Sequence, residues 1–249
     1  MNTRAQANPY PQNEPGGCQD EDIERVLKLA RPSAAGLALD VAAGHSQALA
    51  SLSAHAQHVM ASDISLPVLQ AARAHVIGAD RSSVSFVQCA IEALPWEDNT
   101  FDLVGCFTAA HHFTNVDRFL EEAARVLKPG GSLVIYERLL PEDDRAARYV
   151  DAFYRLGDPR HKRAFAEYQW HGMLLNAGLD VAHSEICRRR IRLLSWAEAH
   201  GCAGDVIERL QILLTQTPRA VSTFLRPSCS GTVDAEFDQH YAAIVGSKR

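Results

Sequence analysis

Two acids frame the part of this chain best suited to chemistry. Asp40 lies in the apolar run at 37–42, and Asp63 follows a second such run at 58–62. Between them is a turn, Ala42-Ala43-Gly44-His45-Ser46, where Gly44 lets a ligand lie against bare backbone because it has no Cβ. Asp63 stands 19 residues after Gly44, near the roughly 20-residue interval at which an acid accepts hydrogen bonds from ribose hydroxyls. Such charge-assisted bonds contribute about 1.5–3 kcal/mol each. Strand, glycine turn, helix, strand and acid form the layout with which an α/β fold holds a nucleoside. A helix-capping role for Asp63 is the rival reading, but Ser65, just before Leu66-Pro67, suits that role better. Ala42 and Ser46 stand where such turns often carry further glycines. Later in the chain, Phe107 through His112 follow another apolar run and face the crevice where open α/β sheets bind ligands. His111 and His112 are paired titratable groups there. Either can take a proton from a hydroxyl, an amine or an acidic carbon, since imidazole titrates near neutral pH. The sequence does not separate the two.

The elements that must position these groups alternate. Strands are predicted at 37–42, 58–62, 83–88, 101–107 and 132–137, with helices near 46–54, 66–77 and 116–128. That rhythm argues for a doubly wound parallel sheet with helices on both faces. The runs 37–42 and 101–107 are almost continuously apolar, as central strands are. Asp20 opens a helix whose stripe Ile23, Val26, Leu27 and Ala30 needs a surface to dock on. In the helix at 116–128, Glu121 and Arg125 are spaced for an i,i+4 pair worth about 0.3 kcal/mol, and Lys128-Pro129-Gly130-Gly131 turns the chain into the next strand. Beyond 139 the pattern changes: 141–162 is charged and helical with a break at Gly157-Asp158-Pro159. A helix at 166–177, a strand at 179–187, helix over 195–217 and a last strand at 241–245 follow.

Bulk properties narrow the field. With 249 residues, 47% hydrophobic and 22% charged, the chain suits one large domain able to bury a real core. Residues 1–19, rich in Asn, Gln, Pro and Gly, are expected to lack fixed structure. A formal net charge of −5 disfavours nucleic acid and anionic lipid as partners. No apolar run approaches the length of a membrane span, and no signal peptide is expected at the N-terminus. The six cysteines include no C-x-x-C pair, which points to a reduced, cytoplasmic protein. No His/Cys/Asp set has metal-ligand spacing, so no metal is expected. Arg188, Arg189, Arg190 and Arg192 form the one basic cluster; strand alternation would expose half of it, so it reads as a solvated face in preference to a phosphate or substrate clamp.

Three segments in order resemble the class I S-adenosylmethionine-dependent methyltransferases, especially the ubiquinone/menaquinone-biosynthesis type. They are Leu39-Asp40-Val41-Ala42-Ala43-Gly44, then Ala93-Leu94-Pro95-Trp96-Glu97-Asp98-Asn99-Thr100-Phe101-Asp102, then Ala110-His111-His112-Phe113 through Lys128-Pro129-Gly130-Gly131. The resemblance implies a Rossmann-like, seven-stranded, mostly parallel sheet with a small helical cap. It implies a cofactor core over 34–140, a helical insert at 141–162 and substrate-side elements over 163–249. S-adenosyl-L-methionine would be the cofactor, held by Asp40, Ala42, Gly44, Asp63, Ile64, Ala90, Ile91 and Phe107, with His111 or His112 catalytic. Ala90 stands where the family often has an adenine-binding acid. The acceptor would be a small molecule, with Phe153, Tyr154 and Trp196 suiting an apolar or aromatic one; a homodimer is left open. Two other readings compete. The thinned glycines and Ala90 suit a descendant of the fold that binds the cofactor weakly or not at all and transfers no methyl group. An NAD-dependent oxidoreductase would need G-x-G-x-x-G, and this turn offers Ala42, Gly44 and Gln47.

Overall fold

The alternating runs fold as their periodicity demands. A computed structural model describes residues 20–30, 36–44, 46–77 and 83–249; the segment 1–19 lies outside the described residues. The strands are β1 (Leu37–Val41), β2 (His58–Asp63), β3 (Val84–Gln88), β4 (Phe101–Phe107), β5 (Leu127–Arg138), β6 (Leu179–Arg192) and β7 (Glu236–Lys248). They make one sheet in the order β3-β2-β1-β4-β5-β7-β6. All pairs are parallel except those of β7, which runs against both β5 and β6. This is the predicted seven-stranded, mostly parallel architecture.

Helices cover both faces. On one lie α1 (Asp20–Ala30), α2 (Ser46–His55) and α3 (Leu66–Ile77); there Ile23, Val26 and Leu27 meet Leu49, Val59, Tyr136 and Val245. On the other lie α4 (Val116–Val126) and α6 (Glu167–Asn176), where Phe119, Leu120 and Trp170 meet Val104, Ile135 and Ile244. A third core belongs to a cap of α5 (Asp144–Gly157), α7 (Leu193–Ala199), α8 (Gly204–Thr215) and α9 (Arg219–Leu225). The helix expected over 195–217 is therefore broken, turning at Gly201 with φ +74°, a conformation glycine adopts freely.

Two local expectations change. The chain joins the sheet at Leu127, opposite Phe101, and the next pair is Ser132 with Leu103. Lys128 through Gly131 thus bulge out of β5 and do not follow a longer helix. Arg125 does not pair with Glu121. It bonds Glu122 at 2.8 and 2.9 Å and reaches the carbonyls of Leu94 and Trp96, while Glu122 accepts from the Leu94 N–H. Arg118 takes Glu121 instead. The i,i+4 surface pair gives way because Arg125 instead satisfies two part-buried carbonyls and Glu122. The result pins the loop that follows β3, which forms one wall of the site.

Candidate active site

A cleft of about 150 Å3 opens at the carboxyl ends of β1, β2 and β4, where open α/β sheets place ligands. Ala42, Asp63, Ile64, Ile91, Glu92, Ala109, His112, Phe113 and Thr114 line it. Of the residues expected at the site, Ala42, Asp63, Ile64, Ile91 and His112 are on its wall. Ala109 lies in the run 107–112 expected to face the crevice, whereas Glu92, Phe113 and Thr114 were not anticipated.

Asp63 sits at the end of β2, 1% exposed. Its Oδ1 accepts the Ser65 N–H at 2.8 Å, and its Oδ2 has no protein partner. One oxygen thus orders the turn into α3, the rival role read from the sequence, while Asp63 also lines the cleft. Asp40 is likewise buried, with Oδ2 unpartnered. Burial and then the neighbouring Asp63 charge push the Asp40 carboxyl well up. Burial raises Asp63 too, against the lowering effect of the Ser65 and Ile64 N–H groups. Two buried acceptors without donors at the mouth of a nucleoside-type turn fit a ligand that brings hydroxyl and cationic groups.

The turn is built with an unusual residue. Ala42 has φ +53°, the left-handed region that costs a residue with a Cβ about 1–2 kcal/mol. The Gly44 N–H closes the turn on the Ala42 carbonyl at 2.7 Å, and the side chain of Ser46 lies outside the described residues. Ala42→Gly should stabilise the fold by about 0.5–1 kcal/mol, read as a raised urea midpoint, strain relief exceeding the entropy glycine adds to the unfolded chain. A lowered midpoint would show that the Ala42 methyl contributes packing that outweighs its strain.

Five expected contributors lie elsewhere. Phe107 shares a face of β4 with Leu103, packs with Tyr136 beneath α1 at 2% exposure, and does not reach the cleft. Strand alternation decides this: Leu103 and Phe107 share the face turned to α1, while Val104 and Cys106 belong to the opposite core. Ala90 is near Ile91 but off the wall, its carbonyl accepting the Ala93 N–H. Phe153, Tyr154 and Trp196 are fully buried, with Phe153 stacked on Trp196 at 5.7 Å. They form the cap's own core and do not present a surface to an acceptor.

The structure separates the two histidines. Both belong to a short turn, Ala110–His112. His112 is on the cleft wall with its side chain 14% exposed, whereas His111 lies behind it at 1%. His111 Nδ1 donates to Glu137 Oε1 at 2.6 Å, and Glu137 also accepts the backbone N–H groups of His111 and Arg138. The His111 carbonyl takes the N–H groups of Lys162 and Arg163, which fastens this turn to the cap. His112 Nε2 donates to Asp158 Oδ2 at 3.0 Å. Around that same oxygen stand Arg138 Nη1 at 3.5 Å and His200 Nε2 at 3.6 Å, and Arg160 contacts Oδ1 at 3.4 Å. Burial would raise the Asp158 carboxyl, but the His112 hydrogen bond and the charges of Arg138, His112 and His200 hold it far below the usual carboxylate range. Burial lowers His112, against the raising effect of its hydrogen bond to Asp158.

Gly157 makes this placement possible. A Cβ there would lie 2.1 Å from the Trp196 ring, so only glycine lets α5 end flush on that indole and turn Asp158 inward. In sequence, Gly157-Asp158-Pro159 signalled a break and nothing more. Glu137 had a usable signal, as an acid closing a strand run like Asp63. His200 had none.

His111, His112 and Asp158 also bring three ligand-type atoms within 4.8 Å of one another, a grouping no sequence spacing announced. Arg138 and Arg160 already face the one carboxylate of that trio, and a dication would sit against two guanidinium groups. The arrangement suits proton handling better: an imidazole held by an ionised acid.

The chain matches the methyltransferase domain family over residues 39–135. It is 29% identical over 187 residues to an uncharacterised methyltransferase, YcgJ, of Bacillus subtilis, covering 75% of this chain and 74% of that one. The crystal structure of YcgJ superposes with a TM-score of 0.87 over 93% of this chain and 99% of its own. A putative methyltransferase from Bacillus halodurans gives 0.87 over 92% and 99%, at 25% identity. A demethylmenaquinone methyltransferase of Clavibacter sepedonicus is 35% identical over 134 residues, 54% of each chain.

Proposed function

Because this chain belongs to the class I methyltransferases, with the family domain over residues 39–135, we propose that it transfers a methyl group from S-adenosyl-L-methionine to a small molecule that gives up a proton. The observation that carries this reading is the presence, on the wall of one cleft, of Asp63 with an unsatisfied oxygen and of His112. When bound, the cofactor supplies a methyl group already activated on a sulfonium centre.

The chain's own residues then have two tasks. Asp63 accepts from the ribose hydroxyls, Ile91 lies against the adenine, and the turn at Ala42 to Gly44 admits the methionine portion to the backbone. Asp40, behind the turn, faces the cationic end of the ligand. His112 holds the acceptor's proton: its Nε2–H is engaged by Asp158, which leaves Nδ1 as the ring's lone-pair nitrogen. Asp158, Arg138 and His200 orient it without touching the reacting atoms. Orientation of this kind can account for about 7–11 kcal/mol of a transfer barrier. Among the described residues no helix is long and apolar enough to cross a membrane.

Calorimetric titration with S-adenosyl-L-methionine and its demethylated product tests the cofactor half, and absence of binding at millimolar concentration would sink it. An acceptor panel tests the rest; binding without turnover on any acceptor favours the non-transferring descendant, which Ala42 and Ala90 motivate. With an acceptor in hand, His112→Gln should lower kcat by about 10²–10³-fold and leave cofactor affinity within a factor of about two. Weakened cofactor binding with kcat unchanged would place His112 in binding alone.

A further inference from the structure

The arginines of β6 are exposed at 188, 190 and 192, as strand alternation predicted, but they do not all act alike. Alternation turns Arg189 towards α1, where it bonds Asp22, and Arg192 pairs with Asp234 at the rim. Arg188 and Arg190 point the opposite way and meet Arg226, which ends α9. With Pro227, Ser228 and Asp238 they surround an open pocket of about 660 Å3, apart from the cleft that holds His112.

The three guanidinium groups are not equivalent. Arg190 is fully engaged: it donates to Glu236 at 3.0 Å, to Asp238 at 2.9 Å, to the Arg226 carbonyl at 2.6 Å and to Ser228 Oγ. It cross-links β6, β7 and the loop after α9, and so builds the frame. Arg188 and Arg226 stand on either side of Asp238, at 3.5 and 3.7 Å from its Oδ2. Those are ion-pair contacts without a hydrogen bond, so both guanidinium groups keep their N–H donors for another acceptor. Both are about half exposed, at 53% and 56%. Glu236 is bound to Arg190, and Asp238, itself buried, is shared among three arginines. The pocket therefore carries surplus positive charge.

His240 lies opposite Arg188 across the β6–β7 ladder and stacks on Phe224 at 4.0 Å. Burial first, against the raising charge of Asp238 and with the lowering charges of Arg188 and Arg226, pushes its ring down to about 4. The backbone also departs from what its side chains prefer: Arg226 has φ +43° and Cys229 φ +49°, a placement that costs about 1 kcal/mol or more for each. Arginines on an edge strand can simply discourage pairing with another chain. That role explains Arg192 at the rim but not the approach of Arg226 from a different element.

We infer that Arg188 and Arg226 form a binding site for an oxyanion, the phosphoryl or carboxylate group of a small molecule, seated between the two guanidinium groups with Ser228 at its edge. Planar guanidinium forks recognise such groups through paired charge-assisted hydrogen bonds.

The test uses the full chain at low ionic strength, titrated by calorimetry with inorganic phosphate and pyrophosphate in one arm and citrate in the other. Saturable binding tighter than about 10 mM is expected in at least one arm, weakening as salt is added. The stronger arm tells phosphoryl from carboxylate. Arg188→Gln and Arg226→Gly should each weaken it at least about tenfold. Arg226→Gly also relieves the left-handed backbone, so its melting temperature should equal or exceed that of the unmodified chain, and lost binding cannot be put down to misfolding. S-adenosyl-L-methionine affinity, measured on the same samples, should not change, which keeps this outcome distinct from that of the methyl-transfer reading. No saturable binding in either arm, or binding that survives both substitutions, overturns the inference.

Discussion

Asp63→Asn is expected to weaken S-adenosyl-L-methionine binding by about 100-fold while leaving the unliganded protein at least as stable as before. The first effect follows from the chemistry of the acceptor. An ionised carboxylate oxygen with no protein partner makes charge-assisted bonds to hydroxyls, and an amide in its place forfeits about 2.5–3 kcal/mol of that, near two factors of ten. The second effect has the opposite sign. Burial raises the Asp63 carboxyl, so the folded state disfavours its charge, and a group of that kind detracts from stability once pH exceeds its unfolded value. Asparagine removes the charge and keeps an oxygen for the Ser65 N–H. Urea denaturation at neutral pH together with calorimetry reads both. Parallel losses of stability and affinity would mean that Asp63 only shapes the turn.

The other large effect is on stability. Asp158→Ala should cost about 3–5 kcal/mol, because it takes an ionised partner from the fully buried Arg138 and removes the one carboxylate oxygen shared by His112, Arg138 and His200. Its pH signature is specific. The folded-state pKa of Asp158 is depressed, so its contribution is complete above the unfolded value near 3.9 and is lost as pH falls below that towards the folded one. The unmodified protein should lose stability steeply below about pH 4; the variant, already without that contribution, should show a flatter profile. Equal slopes in the two proteins would remove Asp158 from its central place. Replacement by Asn, which keeps the shape, should recover part of the stability but not the acid slope.

What the sequence disclosed follows from how local each signal is. Asp63 was legible because strand, turn and interval lie within one 27-residue stretch, 37–63, and the sheet needed no distant partner to place it. Phe107 was misplaced by one step of alternation, since a residue at a strand end points to whichever face the register gives it. The histidines were visible as a pair, yet which one meets the cleft depends on Glu137 and on carbonyl contacts from the cap. Asp158 carried no signal: 46 residues separate it from His112, and its environment is assembled from β5, α5 and the end of α7. The aromatic residues assigned to an acceptor wall were instead needed by the cap, which has a core of its own to fill.

The last two strands set a condition on how the acceptor can enter. β5 stops at Arg138, opposite Tyr241, while β7 starts at Glu236 and β6 continues to Arg192, still paired residue for residue. The cap is carried on that unbroken ladder. Swinging it away as a lid would tear backbone hydrogen bonds that the sheet shares with the cofactor floor. Core and cap thus form a single mechanical piece, and traffic to the cleft must pass through side chains and turns at its rim, such as Phe113, Thr114 and the exposed Ile64. Selectivity for the acceptor is in that case a property of a fixed aperture, set when the chain folds.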